Sequence, residues 1–317
     1  MKSDVYTIMD RLISGRFKAY FGLSRMSHSV LDVAHPCVGA LVALGSFPPP
    51  IPLMIGLVAA FAGFTAIFGL NDVIDWRVDR ERIRRHPRES SPFDIDALGC
   101  RHPIAQGKLR FRNALGWVLF WSLLSLCLAF VLNPLCSLMM LVAASLEVCY
   151  CKLLRRSHWK ALLSGAMVGI GALAGIYAYK DSPPLAYVFS FFIWTFTWEV
   201  GARNISGDWA DVEEDLHLGI RTFPIVRGKR HSSRIAFALM ILTVLSSLSF
   251  PFLGSIRHPL IYQAGALLVG GFFLIIPGWR WIRSQRAESA MVLFNRACVY
   301  PVAMFAVTTL SIILPLA

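Results

Sequence analysis

Apolar residues gather in nine runs, roughly 28–48, 51–71, 113–132, 134–151, 160–179, 184–202, 235–253, 258–278 and 291–315. A helix of about 20 apolar residues crosses a hydrocarbon core, so the pattern predicts an all-α integral membrane protein of about nine spans. Two connections, 73–112 and 203–234, are long and polar, and they are expected to form loops on one face of the membrane. The others are short. Phe47-Pro48-Pro49-Pro50 and Asp181-Ser182-Pro183-Pro184 read as tight turns. The first 27 residues are too charged for a signal peptide and lack its uninterrupted apolar core. Within them Val5, Ile8, Leu12 and Ile13 recur at helical spacing among charges, which predicts a helix lying on the membrane surface. The whole chain, 1–317, is expected to be one domain.

A net charge of +12 could point to nucleic acid, but its distribution argues otherwise. Of 31 Lys and Arg, all but Lys180 and Arg257 fall before residue 27 or in 73–112, 152–160, 203–234 and 280–296. Those are alternate connections, so the bias follows the positive-inside rule and puts the N-terminus in the cytoplasm and the C-terminus outside. The seven Cys form no Cys-x-x-Cys pair and read as small apolar residues of membrane helices.

Two acidic motifs change the picture. Asp-x-x-Asp-x-x-x-Asp occurs as Asp72, Asp75, Asp79 and again as Asp208, Asp211, Asp215, each time at the end of an apolar run. Positions i, i+3 and i+7 share one helix face. Each copy can therefore aim its carboxylates at one spot on the cytoplasmic side. Two facing clusters suit a diphosphate held through Mg²⁺, a hard cation that takes oxygen ligands and shares them with phosphates. Without a metal the carboxylates would repel the anion. A weaker repeat follows each cluster, Pro103-Ile104-Ala105-Gln106-Gly107-Lys108 and Pro224-Ile225-Val226-Arg227-Gly228-Lys229, which suggests two related Asp-rich halves.

Asn71-Asp72-x-x-Asp75-x-x-x-Asp79, Arg101-x-Pro103-Ile104-x-x-Gly107, Tyr150 with Leu154-Arg155-Arg156, and Asp208-x-x-Asp211-x-x-x-Asp215-x-x-x-Gly219-x-x-Thr222-x-Pro224 stand in this order. Together with nine spans they make the chain resemble the UbiA superfamily of intramembrane prenyltransferases. The resemblance implies a helical bundle around a central cavity, capped by cytoplasmic loops. It implies Mg²⁺-dependent transfer of an isoprenyl group from its diphosphate to an acceptor, usually aromatic. It makes Asn71, Asp72, Asp75 and Asp79 the first metal-diphosphate group and Asp208, Asp211 and Asp215 the second. Asp75, Asp211, Tyr150 and Arg155 are the expected catalytic residues. The family's Arg-Pro-Ile is here Arg101-His102-Pro103-Ile104, and Arg155 stands where Lys is common.

A departing diphosphate also needs cations as its C–O bond breaks. The candidates are Arg77, Arg101, Lys108, Lys152, Arg155, Arg156 and Arg203, with Asn204 beside the last. An allylic cation can rest on aromatic faces, for which Trp198 and Tyr150 are candidates. Acids inside membrane helices are costly and tend to be functional. Glu199, four residues before Arg203, is expected either to pair with it or to orient the acceptor. Glu147, one turn before Tyr150, has the same character. Asp32 and His35 in the first span are further candidates for the acceptor or prenyl pocket. The main rival is a cyclase of the same superfamily, in which the chain's own double bond attacks. A phosphoribosyl transferase and a transporter with repeated halves are more distant alternatives.

Overall fold

The computed structural model describes residues 15–85 and 100–315. Val5, Ile8, Leu12 and Ile13, the basis for a surface helix, lie outside them. The described helices are α1 (Gly15–Leu23), α2 (Met26–Asp32), α3 (Ala34–Leu44), α4 (Pro50–Arg85), α5 (Phe111–Leu132), α6 (Pro134–Leu153), α7 (Lys160–Tyr177) and α8 (Leu185–Thr197). They continue with α9 (Ile205–Ala210), α10 (Val212–His217), α11 (Phe223–Arg227), α12 (Lys229–Leu248), α13 (Phe250–Leu253), α14 (Pro259–Gly270), α15 (Ile276–Ser284) and α16 (Ala287–Ile313). Wider π turns, Trp198–Asn204 and Gly271–Ile275, join α8 to α9 and α14 to α15. Nine helical stretches among the described residues are long and apolar enough to cross a bilayer. The chain is a multi-pass integral membrane protein with no strand among the described residues.

Local chemistry sets the turns. Pro50 and Pro52 open α4, where a missing N–H costs little. Asn133 caps α6 by accepting from the Leu135 amide at 2.9 Å, with Pro134 in the first turn. Large apolar side chains of α5, among them Phe120, Leu123, Phe130 and Val131, face outward at 57–67% exposure, as expected of a surface solvated by lipid.

The spans close into a ring. α4 packs along α5 and α6, α6 along α7, α7 along α8 and α8 along α12; α14 and α15 then reach α16, which returns to α2 and α3. α3 and α7 approach so closely that a Cβ added to Gly175 would sit 2.2 Å from the Pro36 carbonyl oxygen. An aromatic core including Trp194, Trp198, Tyr187, Phe191, Phe250 and Tyr300 fixes the second half, with Trp194 Nε1–H donating to Tyr300 at 2.9 Å.

Three boundaries differ from the sequence reading. The first span is two helices that break at Val33. Residues 73–85, expected in a loop, continue α4 to 36 residues, because the acids and arginines there keep helical spacing beyond the membrane. The segment 203–234 is built mainly of short helices, α9 to α11, with α12 starting at Lys229.

Candidate active site

Inside the ring lies one cavity of about 1880 Å³, running from the acidic ends of α4 and α9 down to Phe47, Leu53, Gly56 and Tyr179. It exceeds the ~300–1,000 Å³ of ordinary small-molecule sites. Its lower walls are mostly small or apolar, interrupted by Asp32, Glu199 and Arg203, and its mouth is charged.

At the mouth, α4 presents Asp72, Asp75 and Asp79, all under 10% exposed. Their spacing works as expected on a continuous helix. Asn71, on the same turn, donates to Glu147 Oε1 at 2.7 Å and accepts from Arg25 at 3.3 Å. His102 reaches over this cluster from the 100–110 loop. Its Nδ1 lies 3.1 Å from Asp72 Oδ1 and 3.0 Å from Asp79 Oδ2. The residue adopts φ +52°, a left-handed conformation uncommon outside glycine. Burial alone would lower the imidazole's pKa, but Asp79 and Asp72 outweigh it and hold it above the ordinary value.

The second cluster is built differently. Asp211 has φ −98° and ψ 11°, which ends α9 and starts α10, so Asp208, Asp211 and Asp215 do not share one continuous helix. The bend still leaves all three lining the cavity. Lys160, at the start of α7 and 1% exposed, places Nζ 3.2 Å from Asp208 Oδ1 and 3.2 Å from the Tyr150 hydroxyl. Arg82 crosses from α4 to Asp215 (2.9 Å) and Glu214 (3.3 Å). Arg101 approaches Asp211 at 3.8 Å. Burial and the charge of Asp208 raise the Asp215 carboxyl well above the usual range, against the pull of Arg82.

Six carboxylates thus converge on the mouth, and Lys160, Arg82, Arg101 and His102 are among the cations that contact them. The surplus of hard oxygen donors fits divalent cations that carry a diphosphate. Asp72, Asp79 and His102 alone bring three donor atoms within 4.8 Å of one another.

Deeper, the π turn Trp198–Asn204 aims Glu199 and Arg203 into the cavity. π turns inside α-helices often mark functional sites. Arg203 Nη1 donates to Asp32 at 3.0 and 2.9 Å, and its Nε is 3.6 Å from Glu199. The expected Glu199–Arg203 pair is present. Arg203 is thus held by acids in the cavity wall, below the Asp clusters.

Asn71, Arg101, Lys108, Glu147, Tyr150, Asp32, Glu199, Arg203, Asn204 and the six Asp of the two motifs line the cavity. The other expected site residues do not. Arg77 is exposed and lies over the Trp76 ring at 5.4 Å. Lys152 and Arg156 are exposed beyond the mouth. Arg155, expected to be catalytic, is also exposed and paired with Glu81 at 2.5 Å. Arg77 and Lys152 sit on helix faces turned away from the cavity, and Arg155 and Arg156 in the turn after α6. Trp198 and His35 meet behind the wall, with ring centroids 4.3 Å apart and planes tilted by 54°. Trp198 Nε1 donates to the Ala297 carbonyl at 3.0 Å, and its ring backs Arg203, whose guanidinium lies 5.0 Å from the ring centroid, so Trp198 does not itself line the cavity.

Lys160, His102 and Arg82 were missed by sequence reasoning. Arg82 was available as a signal, since it continues the face of Asp75 and Asp79 once α4 is extended. His102 showed only as an extra residue within Arg-Pro-Ile. Lys160 read as one more basic residue at a membrane edge.

A helical membrane bundle enclosing a long apolar cavity, with paired carboxylate clusters at its mouth, defines a class of intramembrane enzymes acting on amphiphilic substrates. Residues 34–299 match the UbiA prenyltransferase family, and the chain belongs to it as a prenyltransferase. It is 26% identical over 310 residues to digeranylgeranylglyceryl phosphate synthase of Methanococcoides burtonii, covering 92% of this chain and 99% of that one. It is 26% identical over 263 residues to 4-hydroxybenzoate octaprenyltransferase of Hydrogenovibrio crunogenus, covering 82% and 85%. The fold resembles that of a UbiA homolog from Aeropyrum pernix (TM-score 0.71, 18% identity, 89% and 97% covered). It also resembles a UbiA homolog from Archaeoglobus fulgidus bound to DMAPP and Mg²⁺ (TM-score 0.67, 18% identity, 92% and 99% covered).

Proposed function

We propose that the protein transfers an isoprenyl group from an isoprenyl diphosphate to a hydrophobic, aromatic acceptor within the membrane, releasing diphosphate. The observation that carries this reading is the meeting of Asp72, Asp75, Asp79 with Asp208, Asp211, Asp215 at the head of one long cavity. The names of the relatives support it, as does the DMAPP and Mg²⁺ held by the Archaeoglobus fulgidus homolog. The mouth faces the cytoplasm, on the side where the basic connections lie.

The two carboxylate clusters would hold Mg²⁺, which neutralises diphosphate charge and eases its departure. His102 fixes Asp72 and Asp79 relative to each other. Arg82 ties α4 to α10 and so sets the spacing of the two clusters. Lys160 brings a buried cation to Asp208 and Tyr150, where negative charge grows as the C–O bond breaks. The apolar walls below accept the chain and keep water from the allylic cation.

Asp75→Ala or Asp211→Ala is expected to abolish turnover while the protein still inserts and elutes as a single species. Substantial activity of either variant at saturating Mg²⁺ contradicts its assignment.

A further inference from the structure

The depth of the cavity holds a second polar site. Asp32 (1% exposed), Glu199 (6%) and Arg203 (8%) line it about midway along the bundle. Glu199 lies nine residues before Asp208, at most about 13 Å along the helix, since the wider π turn rises less than the ~1.5 Å per residue of an α-helix. A group there stands below the diphosphate and beside the prenyl chain, where an acceptor must come.

Two acids face one base. Both oxygens of Asp32 accept from Arg203 Nη1, and His28 Nδ1 is 3.4 Å from Nη2. Ser164 donates to Glu199 Oε1 at 2.7 Å. The second oxygen, Oε2, is 3.6 Å from Arg203 Nε and has no hydrogen-bond partner, although it is buried. A buried carboxylate oxygen without a donor is costly, and the cavity beside it is the place from which a donor can come. Arg25, just before α2, donates to Asn71 at the mouth. The lower site therefore combines net negative charge with an unmet need for a hydrogen-bond donor.

Resting on the prenyl-transfer reading, we infer that Glu199 binds the acceptor by accepting a hydrogen bond from its hydroxyl, and that the acceptor is an uncharged hydroxyl-bearing molecule rather than a carboxylate or a phosphate ester. A hydroxyl supplies the missing donor. A carboxylate or phosphate elsewhere on the acceptor leaves that hydroxyl in place but adds a negative charge, which meets the charge of Asp32 and Glu199. The preference departs from what the names of the relatives suggest, since one of those proteins acts on a benzoate and another makes a glyceryl phosphate lipid.

The test uses the full chain in nanodiscs with Mg²⁺ and a prenyl diphosphate that it consumes. Matched acceptors are supplied: 4-hydroxybenzoate against 4-hydroxybenzamide, and a glycerol ether lipid with and without its phosphate. The uncharged member of each pair is expected to give at least about tenfold higher kcat/KM, the order that one unit charge a few Å away sets in a partly screened interior. Glu199→Gln removes one charge, and the ratio of uncharged to anionic use within that variant is expected to fall about tenfold. Because the ratio is internal to one preparation, partial misfolding does not move it. Equal or better use of the anionic acceptors by the wild type overturns the inference, as does an unchanged ratio in an active Glu199→Gln. Should no diphosphate be consumed at all, the prenyl-transfer reading itself falls.

Discussion

Gly171 offers a way to measure the cavity from inside. It lies on α7, lines the cavity, and a Cβ built on it meets nothing within 4 Å. Gly171→Phe therefore starts its side chain in open space on the cavity wall, and it removes a residue of poor helix propensity. Lys160, which marks the diphosphate level, is eleven residues earlier on the same helix, about 16 Å away. An extended isoprene unit spans about 5 Å at carbon–carbon bonds near 1.5 Å, so about three units fit above the new ring. The unblocked cavity continues to Gly56, nineteen residues from Asp75 on α4 and about 28 Å distant, room for five or six units. Wild-type protein should accept geranylgeranyl diphosphate or longer. In Gly171→Phe the fourth unit loses its site, five carbons at ~0.8 kcal/mol each, about 4 kcal/mol in all. That corresponds to two to three orders of magnitude in relative kcat/KM. The assay compares geranyl, farnesyl and geranylgeranyl diphosphates by product mass. Farnesyl diphosphate should be used within a few-fold of the wild-type rate and geranylgeranyl diphosphate almost not at all. Equal use of geranylgeranyl diphosphate by the variant and the wild type would refute the placement of the chain along α7.

The charged mouth yields further tests. Lys160→Met leaves Asp208 without its buried partner, so activity should be lost and stability should fall by about 3–5 kcal/mol, read as the unfolding midpoint in detergent. Adding Asp208→Asn should recover much of that stability but none of the activity. His102 has a folded pKa above its ordinary 6.5. In metal-free protein its contribution is therefore complete below about pH 6.5 and is lost as pH rises through the higher folded value. The melting temperature should drop across that window, and His102→Gln should flatten the profile. Arg155→Ala should keep activity within about tenfold, because the side chain is exposed and paired with Glu81 outside the cavity. A thousandfold loss would restore the catalytic role that its motif implied.

The helix number was legible because bilayer crossing demands runs of fixed length, and the alternation of basic connections checked it. The first Asp cluster was legible because α4 is continuous, so sequence spacing translates directly into a face. The second was legible only as a set, since the bend at Asp211 cannot be read from spacing. Lys160 and Arg82 act through contacts 48 and 133 residues away in sequence, and no local pattern carries such pairings. Trp198 shows the opposite failure. An aromatic residue near the site is compatible with either wall or core, and the Ala297 carbonyl on α16 decided for the core.

Product analysis tests the central claim most directly. Purified protein with Mg²⁺ is incubated with prenyl diphosphates of increasing length, with and without hydroxyl-bearing acceptors, and products are read by mass spectrometry. The account predicts a product whose mass is that of the acceptor plus the prenyl group, formed only with Mg²⁺ and absent in Asp75→Ala. A cyclic hydrocarbon or terpene alcohol formed equally well without acceptor, beyond simple hydrolysis, would contradict it.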